Sequence, residues 1–209
     1  MKTILASAII ALISSTAFAQ SVSVADLRAQ IDARVGGLNE YQELLNDPDP
    51  ARSMAAMEIM MASGDPALVK MAKDYGIFSP NAAVRKAALD GYFASGPVLE
   101  MQFDLKDLRD ANYFAMRAIE PYSGTVTTEN TAFVQISVGD WVEKDQCFTV
   151  NGWENGLDEG CFLRNSENGT SLYFFGRWWF LTLNDQGELT GSGSGPRNSG
   201  IPISIQVAQ

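Results

Sequence analysis

The chain has 209 residues, no histidine, two cysteines and a formal net charge of −10. Without histidine it lacks the usual general base and the commonest metal ligand. Its acidity disfavours non-specific attraction to nucleic acid and to anionic lipid, and its length allows one large domain or two small ones.

Residues 1–19 have the pattern of a cleaved export leader: Lys2 near the start, an apolar run from Ile4 to Ile13, a polar break, and Ala17-Phe18-Ala19 before the cut. That run is shorter than the roughly 20 residues needed to span a bilayer. No cysteine follows the cut to carry a lipid. The expectation is a mature chain from Gln20, periplasmic or secreted, with no lipid anchor and no membrane insertion.

From residue 20 to 122 the signals are helical. Val24, Leu27, Ile31, Val35, Leu38, Tyr41 and Leu45 recur every three or four residues, which predicts a helix over 23–45. Gly36-Gly37 weakens its middle and predicts a kink. Three further helices open at Asp49-Pro50, Asp65-Pro66 and Ser79-Pro80, where a side-chain acceptor precedes a proline at the first helical position. Gly64, Gly76 and Gly96 close them. Helices this short must pack on one another to persist, so a bundle is expected.

Asp49-Pro50-Ala51-Arg52 with Ala55-Ala56, and Pro80 with Val84-Arg85-Lys86-Ala87-Ala88-Leu89, resemble the phrasing of HEAT-like helical repeats over residues 47–95. The resemblance implies stacked helix pairs that offer a surface to other proteins. Met54, Met57 and Met61 share a helix face. Thioethers are candidate soft ligands for Cu(I), and filling of irregular gaps between helices is the alternative.

After Pro121 the period becomes two. Strands are expected at 131–138, 146–150, 160–164, 170–175, 177–183, 188–192 and 201–207, separated by Gly, Asn and Asp turns. The Gly- and Ser-rich stretch 191–200 is expected to be a flexible hairpin loop. The fold class predicted is α+β: a short-helix bundle over 20–122, then a small antiparallel β-barrel or sandwich over 123–209. Cys147 and Cys161 are expected to form a disulfide, as a close, even pair does in an oxidising compartment.

Trp178 and Trp179 are adjacent on one expected strand, so their side chains point to opposite faces. One of them, with Trp153 in a turn-rich stretch, is a candidate to stack on sugar rings; Glu154, Asp158 and Glu159 are the carboxylates nearest Trp153 in sequence. A carboxylate pair is the one catalytic device the composition leaves open, since no nucleophile elbow, Walker motif or dinucleotide fingerprint occurs. No cofactor is expected. The first expectation is a non-catalytic binding or scaffold protein whose partner is another envelope or extracellular protein. The alternatives are a protein that binds or cleaves polysaccharide, and a methionine-based Cu(I) binder.

Overall fold

A computed structural model describes residues 23–151, 160–195 and 197–208. The chain divides into two compact units, Met1–Gly37 and Leu38–Gln209. Helix α1, Val24–Leu45, crosses that division. Gly36 and Gly37 are both helical, because two glycines lower helix propensity without forbidding the helical dihedrals. Ser23 starts it: the Asp26 amide donates to the Ser23 hydroxyl, which in turn donates to the Asp26 carboxylate.

In the larger unit, α2 (Pro50–Ala62) and α3 (Pro66–Ile77) begin where the capping signals place them, and α4 (Ala82–Ala94) begins later than Ser79-Pro80. Asp49 accepts from the Ala51 amide, and Asp65 from the Ala67 and Leu68 amides. The third cap is Asn81 rather than Ser79, with the Ala83 amide as its donor. The helices close on each other through glycines. A Cβ on Gly76 would collide with Ala88 and the Met57 thioether, and one on Gly91 would press on Met61.

The second half is an antiparallel barrel. Strands β3 (Thr131–Val142), β4 (Cys147–Val150), β5 (Leu163–Ser166), β6 (Gly169–Phe174), β7 (Arg177–Leu183), β8 (Glu188–Gly195) and β9 (Asn198–Gln206) follow one another as a meander. Strand β1 (Val98–Asp104) pairs with β9 on one side and β3 on the other, which closes a ring of eight strands; β2 (Thr125–Val126) adds a short ninth strand against the start of β3. Closure leaves no long sheet edge to aggregate. The change of period at residue 123 is therefore not where the barrel begins. Its closing strand comes from the segment expected to be helical, where Leu99, Met101 and Phe103 are buried and Val98, Glu100 and Gln102 exposed.

An eight-stranded barrel is just wide enough for side chains to fill it. Leu99, Val134, Leu163, Leu172, Leu181, Ile203 and Ile205 belong to one buried cluster. The two mouths are closed differently. At one, the irregular helical run 111–122 brings Phe114 edge-on to Phe103 and Tyr122 to 4.9 Å from Phe174, the two rings that also pack on Trp179. At the other, α3 and α4 lie across the strand ends. There Phe93 of α4 meets Phe148, Lys73 Nζ donates to the Val207 carbonyl at 2.7 Å, and Asn165 donates to the Asp90 carboxylate and the Lys86 carbonyl.

Within 191–200, Pro196 lies outside the described residues; 191–195 and 198–200 belong to the paired strands β8 and β9 rather than to a loop. Glycine is used there for space: a Cβ on Gly193 would occupy the Trp179 ring, and one on Gly195 would press on Phe114. The glycines that suggest flexibility are the places where aromatic residues of the core lie on backbone.

Cys147 and Cys161 form the disulfide, with Cα atoms 5.6 Å apart and both residues fully buried. Among the described residues no helix is long and apolar enough to cross a membrane.

Candidate functional site

The closed interior sends attention to the outer surface. On β7 the alternation expected of adjacent tryptophans is realised. Trp179 points inward, 1% exposed, its indole N–H donating to the Phe174 carbonyl. Trp178 points outward and is 40% exposed. As a surface residue Trp179 is thus replaced by Phe180, two positions from Trp178 on the same outer face and 52% exposed. Only the strand register decides which of the two tryptophans faces out.

The neighbours of Trp178 are a buried aromatic ring, Tyr173, and a cation. Tyr173 is its cross-strand partner, with ring centroids 5.3 Å apart, and the Arg164 guanidinium lies 4.7 Å from the Trp178 ring. Ser171 and Ser192 flank Phe180 on the adjacent strands. Such a face offers planar apolar rings beside a cation and hydroxyls.

A second feature lies where β2 meets β3. Glu100, Tyr122, Ser123, Gly124, Thr125, Phe133 and Gln135 line an open groove of about 630 Å³, within the range of small-ligand sites. Gln135 donates its amide to the Glu100 carboxylate at 3.0 Å. Gly124 lets the 122–125 segment lie against β3, since a Cβ there would meet the Phe133 carbonyl, Ile119 and Val134. Burial raises the Tyr122 phenol above its ordinary value, a backbone hydrogen bond at Phe175 opposes this, and Tyr173 reinforces it. Phe133 and Gln135 already share one side of an expected strand in the sequence. Glu100 was missed with its strand, although Leu99, Met101 and Phe103 alternate with polar residues.

The remaining sequence candidates fall elsewhere. Trp153, Glu154, Asp158 and Glu159 lie outside the described residues. Met57 is fully buried, and Met54 and Met61 are half-buried against the core. The Met57 sulfur faces Gly76 of α3 while that of Met61 faces Gly91 of α4, so the two thioethers fill different helix interfaces. Among the described residues no cluster of three or more His, Cys, Asp or Glu could hold a metal ion.

The two other resolved shifts of ionisation, at Lys73 and Tyr92, fall on structural groups. Burial lowers Lys73, against the opposing charge of Asp74 and with a contribution from Lys70. Burial raises Tyr92, whose ring lies under the Lys73 ammonium. Both sit where the helices close the barrel, away from either surface feature. Compared with protein-family models, curated proteins and solved structures, the chain matches none. Its reading rests on its own geometry.

Proposed function

We propose that the chain is an exported, non-catalytic binding or scaffold protein that meets its partner on its outer surface. The observation that carries this reading is the filled barrel with both mouths closed, by the 111–122 run at one end and by α3 and α4 at the other. A carrier that holds its ligand inside a barrel needs an open lumen; here side chains occupy that space. The leader pattern at 1–19 and the buried disulfide support an oxidising compartment outside the cytoplasm.

A second reading, recognition of polysaccharide, is favoured by the accessible Trp178 and by the groove at Glu100. Sugars present apolar C–H faces that stack on aromatic rings and hydroxyls that pair with carboxylates and amides. Trp178 and Phe180 supply rings, and the groove joins Tyr122 and Phe133 to Glu100 and Gln135. The two readings separate in one experiment. The purified chain, Trp178→Ala and Glu100→Ala are assayed against immobilised chito- and cello-oligosaccharides, and by covalent crosslinking in the native envelope. Oligosaccharide retention by the wild type, weakened about tenfold or more by either substitution, supports the polysaccharide reading. A crosslinked protein of fixed stoichiometry, with no oligosaccharide retention, supports the scaffold reading. Substrate turnover abolished by a single carboxylate substitution overturns the non-catalytic assignment.

A further inference from the structure

Every residue from Ser23 to Gly36 is exposed, including the apolar ones: Val24 68%, Leu27 51%, Ile31 51% and Val35 50%. A helical segment of this length holds its shape poorly in water without a surface to pack on. Its apolar residues are not scattered. They follow the steps of three and four that form one seam along a helix. A narrow seam on an otherwise polar helix is the pattern of helix pairing.

The charges of the same segment say what the partner is. Asp26, Arg28, Asp32 and Arg34 sum to zero in a chain of net charge −10. Two copies approaching through this segment therefore avoid the repulsion that the rest of their surfaces would impose. Arg28 and Asp32 lie on the same flank of the apolar seam, one turn apart. In an antiparallel pair like flanks meet, so with residue 30 at the dyad each Arg28 comes level with the partner's Asp32. In that register Leu27 is level with the gap between the partner's Ile31 and Val35, and Ile31 with the gap between the partner's Leu27 and Ile31. This is the interdigitation a helix pair requires. A parallel pair would instead place the two Arg34 side chains side by side.

We infer that residues 24–35 of α1 form an antiparallel, two-fold helix pair with a second copy of this chain. The pairing joins two barrels through neutral helices and gives the assembly two copies of each outer surface. A ligand that repeats, such as a polymer, is then held by avidity.

The test is the mass of the purified chain by sedimentation equilibrium, with near-ultraviolet dichroism to confirm that the barrel stays folded. The wild type is expected to be a dimer and Ile31→Asp a monomer with an unchanged barrel spectrum. Asp32→Arg is expected to weaken association about tenfold, and Arg28→Asp combined with Asp32→Arg to restore it. A monomeric wild type overturns the inference, as does a dimer that Ile31→Asp leaves intact. Failure of the double exchange to improve on Asp32→Arg overturns the antiparallel register. A monomer that instead cosediments with phosphatidylglycerol vesicles assigns the seam to a lipid surface.

Discussion

The helical layer and the barrel of the larger unit are built by different rules. In α2–α4 the instructions are local: a capping acceptor, a proline at the first turn and an apolar residue every third or fourth place, all within a dozen residues. The barrel depends on partners far apart in sequence, such as Met101 against Ile205. The helices also lean on the barrel. Their fastening residues, Lys73 and Asp90, reach partners at Val207 and Asn165. The barrel can thus be regarded as the frame and α2–α4 as the cover of one of its mouths.

The largest test of that ordering is Trp179→Ala, which removes the ring that joins Phe103 and Phe174 in the core. It is expected to cost about 3–5 kcal/mol, with helical and aromatic dichroism lost in one urea transition. A helical signal that survives after the barrel signal is gone would show that the cover is independent of its frame. Next comes the disulfide. Replacing Cys147 and Cys161 by Ser is expected to lower stability by about 3 kcal/mol, read as a lower denaturation midpoint. A midpoint that does not move would mean the β4–β5 region is held by pairing alone.

Asn165→Ala acts on the fastening itself. Asn165 donates to α4 and accepts from the fully buried Thr170 hydroxyl, so its loss leaves partners unpaired and should cost about 1–3 kcal/mol. Hydrogen exchange in α4 is expected to rise more than in β8. Equal acceleration in both would deny that the cover can loosen separately.

The smallest effect is alkaline. The Tyr92 and Tyr122 phenols are raised above 10.0 by burial, so as pH climbs the unfolded chain releases these protons first. Their contribution is complete below that value and is lost above it. Lys73 is lowered from 10.5 by burial, so it penalises the fold at lower pH and ceases to do so once both states are neutral. The tyrosine contribution by itself makes the melting temperature fall as pH rises past the ordinary tyrosine value of about 10. Tyr122→Phe should flatten that fall; an unaltered slope would remove Tyr122 from the account.

Much of the helical layer was legible because its cues lie next to the residues they control. The strands after 130 were legible from alternation, with ends misplaced by a few residues. Stretch 191–200 was misread because glycine signals freedom in a sequence, whereas Gly193 here makes room for Trp179. The outward direction of Trp178 was half-legible: adjacency on a strand separates the two tryptophans, but the register against β6 chooses between them. The groove joins β1 to β3 across 35 residues of chain, and no local pattern announces a pairing at that distance.

By itself the sequence determined the class, the starts of α2 and α3, the alternation of the strands and the disulfide partners, because each follows from propensity, period or the number of cysteines. Tertiary structure alone decided that β1 closes the ring, that the barrel is solid, and that Trp178, Phe180 and the Glu100 groove face solvent. The physical reason is that period assigns residues to faces, whereas inside and outside exist only after a sheet has closed on itself.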